Sequence, residues 1–317
     1  MIEVSLNANQ SNQRLDKVLK KILKDAPTSF IYKMLRKKNI TLNHARAYGN
    51  EITVYGDSVQ FFFAQETYDK MRGVTKETPE ISADFPEIPV LYEDNDVCIF
   101  VKPPGILSQK AVESDFSVNE WVIYHARERG IISDSDFESF KPAVCNRLDR
   151  NTGGIMAAGL SMQGLQVLSA MFKERTLGKY YYALVTGRIT ESKEIKGYLL
   201  KDERSNRVEI FDNPVQDSRP IRTSYEPVKV YKDRTLLKVH LITGRTHQIR
   251  AHLSSIGHPI IGDTKYGNSR VNFDNHTFYQ CLHAYRVEFP ECELPGISGK
   301  VFETGVPKNW PLGRAAD

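Results

Sequence analysis

The chain has 317 residues, 43 Lys/Arg against 39 Asp/Glu, 40% hydrophobic and 26% charged residues. These fractions exclude a disordered or low-complexity chain and allow roughly one to three domains at the usual ~100–200 residues each. A net charge of +4 does not by itself announce a nucleic-acid partner.

The charge is unevenly spread. Residues 1–64 carry ten basic and five acidic groups, a net of +5, and the remaining 253 residues sum to −1. In this first segment Leu15, Val18, Leu19, Ile22 and Leu23 recur at helical spacing, with Lys17, Lys20, Lys21 and Lys24 off that stripe. Pro27-Thr28-Ser29 breaks this helix and offers a cap for a second. There Phe30/Ile31, Met34 and Leu35 face inward, and Lys33, Arg36, Lys37 and Lys38 crowd the C-terminal half. Short strands are predicted at 40–42, 52–54 and 59–63. The basic cluster reads either as a solvated face or as a phosphate-binding surface. Residues 65–88, with two prolines and a net charge of −3, are predicted to be a linker.

From residue 89 to 303 the pattern is β-rich. Val97–Val101, Ile155–Ala158, Tyr181–Val185 and Leu236–Leu241 read as strands. Leu165, Leu168, Met171 and Phe172 suit one helix face. A second helix is expected over 246–256, capped by Thr246 and ended by Gly257. A strict βαβ alternation is missing, so the expected fold is α+β with a mixed, mostly antiparallel sheet. Residues 304–317 read as a loosely packed tail.

Three stretches could carry chemistry. In Cys145 to Gly154, Asp149 lies between Arg147 and Arg150, which favour its charged form; a structural Asp–Arg turn network is the alternative. Gly153-Gly154 hints only weakly at a phosphate loop, because no Lys-Ser/Thr follows. In Thr243 to His252, His247 and His252 are five apart, about 140° around a helix, which argues against a shared metal. Arg245 and Arg250 there suit anion or substrate contact, or simply an exposed helix start. In Lys179 to Gly187, Tyr181 points with Lys179 and away from Tyr180 and Tyr182, able to stack on a base or to pack on a sheet. The four cysteines form no Cys-x-x-Cys pair, so no metal or redox site is expected. Met1 to Leu19 shows no secretory signal and no apolar run spans a membrane, so a cytoplasmic protein without membrane association is expected.

Two resemblances join these stretches. The segment Arg14-Leu15-Asp16-Lys17-Val18-Leu19, Ile31 to Lys37, Ile40 to Asn43 and Gly56-Asp57 resembles the small αβ RNA-binding module named after ribosomal protein S-four. That likeness implies RNA contact by Lys17, Lys20, Lys33, Arg36, Lys37 and Lys38. From about Leu91 to Pro290 the chain resembles the RluA-type pseudouridine synthases. The matching runs are Lys102-Pro103, Arg147-Leu148-Asp149-Arg150, Lys179-x-Tyr181, Thr243 to Arg250, Gly257 to Ile260 with Asp263, and Leu282-His283-Ala284. Asn146, Gly153 and Pro104 depart from that family's usual His, Ser and small residue.

This second resemblance implies an isomerase acting on structured RNA, most similar to members that modify large-subunit ribosomal RNA, with no cofactor and no metal. It implies Asp149 as the catalytic carboxylate, Arg250 as its partner with Arg245 as second choice, and Tyr181 stacked on uracil. Arg147 would fill the space of the flipped base, and Lys179, Arg245 and His247 would bind substrate. A monomer is expected. A non-catalytic RNA-binding protein and a metal-dependent hydrolase are the alternatives from other classes.

Overall fold

A computed structural model describes residues 1–73, 85–112, 114–133, 140–202 and 204–313. The apolar stripe of the first basic segment forms α1 (Leu15–Ile22), and that of the second forms α2 (Thr28–Arg36). Strands β1 (Ile2–Ser5), β2 (Ile40–Leu42), β3 (Ala45–Arg46) and β4 (Ser58–Phe61) make a four-stranded antiparallel sheet in the order β1-β4-β2-β3. Leu15, Leu19, Ile31 and Leu35 bury their side chains against Val59 and Phe61 of this sheet.

Details differ from expectation. Helix α2 starts after Pro27, whose ring sets the backbone angle but offers no capping oxygen; the Thr28 hydroxyl instead accepts from Lys20 Nζ at 3.0 Å. Residues 52–54 form no strand. Thr53 is buried, and its backbone exchanges bonds with Asn12 and Gln13, which turns Ile52 and Val54 outward, both 60% exposed. The segment expected as a linker begins with α3 (Gln65–Arg72), whose Tyr68 ring packs 5.1 Å from Phe61 in the same core. Its residues 74–84 lie outside the described part.

The remainder is built on one sheet of eleven strands. They are β5 (Val90–Glu93), β6 (Val97–Lys102), β7 (Ala143–Val144), β8 (Gly153–Gly159), β9 (Gly178–Thr186) and β10 (Lys193–Asp202). Then follow β11 (Arg207–Phe211), β12 (Arg219–Val230), β13 (Arg234–Leu241), β14 (Leu282–Glu288) and β15 (Val301–Glu303). The order is β11-β10-β12-β13-β9-β14-β8-β6-β5, with β7 on β8 and β15 on β14. Every pairing is antiparallel except β14 with β8. The fold is therefore α+β with a mixed, mostly antiparallel sheet, as the strand-rich pattern implied.

That one parallel seam explains the double glycine. Gly153 and Gly154 open β8 opposite His283 and Ala284. Gly154 has φ +123°, and a Cβ there would stand 2.4 Å from the Ala284 backbone. These glycines let two strands meet; they do not cradle a phosphate.

Helices α4 (Val118–Glu128), α5 (Met162–Glu174), α6 (Gln248–Ser255) and α7 (Ser269–Asp274) accompany the sheet. Helix α6 is not capped by Thr246. Its first turn follows His247, held at φ 54°, and Gly257 ends it at φ +85°. The chain end is also better packed than expected. Val306, Trp310 and Leu312 rest on the main core, and Arg234 Nη1 donates to Pro311 O at 2.8 Å. Among the described residues no helix is long and apolar enough to cross a membrane.

Candidate active site

The polar loop before β8 is held from beneath. Lys102, at the end of β6, is fully buried, and its Nζ donates to the carbonyls of Pro103 (3.0 Å), Ile106 (2.8 Å) and Arg150 (3.0 Å). Three carbonyls take all three donors of an ammonium. Burial pushes this amine down to about 7, and Asp149 pulls the other way. The Ser108 hydroxyl donates to Leu148 O at 2.8 Å. Gln280 Nε2 donates to Thr152 Oγ1 at 2.8 Å, and Ala157 N donates to Asn146 Oδ1 at 2.9 Å. The loop is thus fixed on both sides of Asp149.

The partner of Asp149 is not an adjacent arginine. Arg150 reaches instead toward Asp115 at 4.0 Å, and Arg250 Nη1, from α6, donates to Asp149 Oδ2 at 2.7 Å. The same guanidinium grips Asp263 with two bonds, Nε to Oδ2 at 2.7 Å and Nη2 to Oδ1 at 2.9 Å. Asp263 is completely buried and also accepts from the backbone of Lys265 and Tyr266. Burial alone would raise the Asp263 carboxyl, but the Arg250 bonds and the backbone donors hold it below the ordinary range. Burial would likewise lower Arg250, but Asp263 and then Asp149 outweigh it and hold the guanidinium charged. Asp149 is 27% exposed and opens into a cleft.

That cleft, about 720 Å³, brings together all seven residues singled out as catalytic or substrate-binding: Asp149, Tyr181, Arg250, Arg147, Lys179, Arg245 and His247. Tyr181 is buried on β9, and burial followed by the Asp149 charge pushes its hydroxyl upward, so it stays neutral. Its neighbours have structural work instead. Tyr180 stacks on His240 at 4.6 Å and Tyr182 on Tyr285 at 3.9 Å. Arg147 is exposed at the cleft. His247 Nε2 lies 3.9 Å from Asp149 Oδ2, and its Nδ1 is 3.0 Å from the Tyr266 hydroxyl. Burial lowers His247, with Asp149 opposing and Arg250 adding to the shift.

The histidines do not converge on a metal. His252 is buried against Thr223 Oγ1 at 3.0 Å, and His258 meets Thr186 O at 2.8 Å. Glu93, Cys98 and His125 do converge, with donor types a metal would accept. Glu93 is already engaged there by a hydrogen bond with His125 at 2.5 Å and an ion pair with Arg129 at 3.2 Å, which tie α4 to β5. Far from the cleft in sequence, Lys17, Lys20, Lys33, Arg36, Lys37 and Lys38 are all exposed on and after α1 and α2, and none joins an ion pair among the described residues.

Lys102, Asp263, Tyr266 and Gln280 were not among the sequence-selected site residues. Lys102 and Asp263 stood inside recognisable runs, but only their burial reveals what they hold.

A carboxylate fixed by a buried guanidinium, open to a cleft beside an aromatic ring, can attack an electrophilic carbon or shuttle a proton. The sequence model of the RNA pseudouridylate synthase family matches residues 96–255. The chain is 31% identical to a ribosomal large subunit pseudouridine synthase C of Vibrio vulnificus, covering 92% of this chain and 90% of that protein. It is 32% identical to the Vibrio parahaemolyticus protein of the same name, over 90% and 87% of the two chains. Its fold is similar to the solved human RNA Pseudouridylate Synthase Domain Containing 1, with TM-score 0.55 at 22% identity over 70% of this chain and 84% of that one.

Proposed function

Because the chain belongs to the RNA pseudouridylate synthase family, a family of isomerases, we propose that it converts specific uridines of large-subunit ribosomal RNA to pseudouridine, with Asp149 as the catalytic carboxylate. The observation that carries this reading is the Arg250–Asp149 bond of 2.7 Å at the floor of an open cleft.

The reaction is an isomerisation. Asp149 attacks the uridine at the ribose or at the base, and the glycosidic bond to N1 breaks. The uracil turns and bonds to the ribose through carbon 5, and the bond to Asp149 breaks, which returns the carboxylate. Carbon 5 loses its proton and N1 gains one, so no atom is added and no redox partner is required. Arg250 aims Asp149 through their 2.7 Å bond, and it stays charged because Asp263 compensates it from behind. The neutral Tyr181 ring stacks on the flipped uracil without competing as a base. Arg147 enters the helix where the base has left. Lys179, Arg245 and His247 contact the substrate. The exposed cations of α1 and α2 dock the RNA.

In this reading the docking unit is the four-stranded part, and catalysis belongs to the eleven-stranded part. The protein works in the cytoplasm as a monomer and without a cofactor. The test is tritium release from a large-subunit ribosomal RNA transcript labelled at carbon 5 of uridine. Wild-type protein should release tritium in proportion to the pseudouridines then mapped in the product. No release, with the RNA bound, would contradict the proposal.

A further inference from the structure

Of the arginines that line the cleft, Arg150 faces Asp115 at 4.0 Å, Arg250 holds Asp149 and Asp263, and Arg286 pairs with Glu288 at 2.6 Å and Glu303 at 2.7 Å. Besides Arg147, four neighbouring cations have no acid among the described residues. Arg175 follows α5, Lys179 stands near the start of β9, Arg219 opens β12, and Arg245 lies in the loop before α6. Among the described residues, none of these four side chains makes an ion pair or hydrogen bond.

They are nevertheless gathered. Lys179 and Arg245 line the cleft that holds Asp149. A Cβ built on Gly244 would lie 3.7 Å from Lys179 Nζ, so this ammonium stands over the backbone beside Arg245. Arg175 stands four residues before Lys179 in the turn that leads into β9, and Arg222 N donates to Thr243 Oγ1 at 2.9 Å, which sets the start of β12 with Arg219 beside the loop of Arg245. In keeping with this, burial and then the charge of Arg175 lower Lys179, and burial, then Arg175 and Arg219, lower Arg245. Arg175 itself sits at φ 61°, at a helix end where glycine is the usual occupant. Like charges brought together without acids oppose folding, and an anion arriving from outside relieves them. Three of the four are exposed, and they come from four separate elements. Such a spread suits a chain of phosphates along the rim; a single free anion would need a closed cradle.

Resting on the reading of the protein as an RNA pseudouridine synthase, we infer that Arg175, Lys179, Arg219 and Arg245 form a phosphate subsite gripping consecutive phosphodiesters of the strand that carries the target uridine. This subsite holds the strand while the base is out of its stack. Arg175 and Arg219 are its outer members and are not among the residues that line the Asp149 cleft, so their effect falls on binding.

The test uses the full chain carrying Arg175→Gln with Arg219→Gln and the carbon-5 tritiated large-subunit ribosomal RNA transcript. KM should rise about tenfold at near-physiological salt, with kcat at saturating RNA changed by less than roughly twofold. The slope of log Kd against log salt should flatten by about 1.4, or ~0.7 for each lost phosphate contact on a single strand. Arg175→Lys with Arg219→Lys should restore the slope. A merely structural role would lower kcat and thermal stability and leave the slope in place, and that result, or an unchanged KM and slope, overturns the subsite. The salt slope is also measured in an Asp149→Asn background. If wild type releases no tritium, the isomerase reading falls while the slope still decides the subsite. If wild type releases tritium and the slope is unchanged, the subsite alone falls.

Discussion

The two regions rich in charge use it in opposite ways. Behind Asp149 the charge is buried and compensated: Arg250 is 6% exposed in its side chain and bonded to two carboxylates, one of them wholly buried. On α1 and α2 the charges are exposed, and the six candidate docking cations have no acid partners among the described residues. A compensated, low-dielectric pair keeps its strength when salt changes; an exposed cation loses most of its attraction within a Debye length, about 8 Å at physiological salt. Chemistry should therefore follow the compensated pair, and affinity the exposed cations, those of α1 and α2 included.

The strongest way to break this division is to remove the compensation. Arg250→Met leaves the buried Asp263 charge without its cation, held only by two backbone N–H groups, and Asp149 without its guide. The expected cost is about 3–5 kcal/mol in stability, read by urea unfolding, with a loss of kcat of about 10³ or more. Stability within about 1 kcal/mol of wild type would show that the network is not what holds α6 to the loop of Asp149.

Acid should separate the two regions next. His252 and His283, both in the large-sheet part, are buried, and burial pushes each down to about 4 from 6.5. They stay neutral in the folded protein, while the unfolded chain takes up protons below pH 6.5. Their contribution is present above that pH and is lost as pH falls from 6.5 toward 4. At pH 5 each should have cost about 2 kcal/mol. The described part of the first 73 residues has one histidine, the exposed His44. Hydrogen exchange at pH 5 against pH 7 should show the eleven-stranded sheet loosening before the four-stranded one. Equal loosening would contradict the assignment.

The smallest effect should come from the docking face. Lys33→Gln with Arg36→Gln and Lys37→Gln should weaken RNA binding about tenfold at moderate salt and flatten the salt slope by about 2, with kcat at saturating RNA unchanged. An unaltered slope would take these helices out of RNA docking.

What the sequence made legible was local. The stripes of α1 and α2, the apolar run of β6, and the Tyr180–Tyr181–Tyr182 alternation all follow from periods of 3.6 and 2. The seven cleft residues were named because their runs resemble a family, and the fold does bring them together. What stayed hidden was long-range. Asp149 has arginines at both flanks, yet it pairs with one 101 residues away, because that one arrives on a buried helix already braced by Asp263. Helix α6 looks polar and is buried through Gln248, Arg250 and His252, since each finds an internal partner. Gly153-Gly154 resembled a phosphate loop because a parallel seam between β8 and β14 leaves no mark in local sequence. Likewise, nothing in the composition of residues 65–72 announces that Tyr68 closes the smaller core.

The most direct measurement is Asp149→Asn with two readouts on the same tritiated ribosomal RNA transcript. Binding should stay within about twofold of wild type, with the same salt slope, and tritium release in single turnover should fall by about 10⁴ or more. Full release by that variant would contradict the claim that the Arg250-bound carboxylate carries the chemistry.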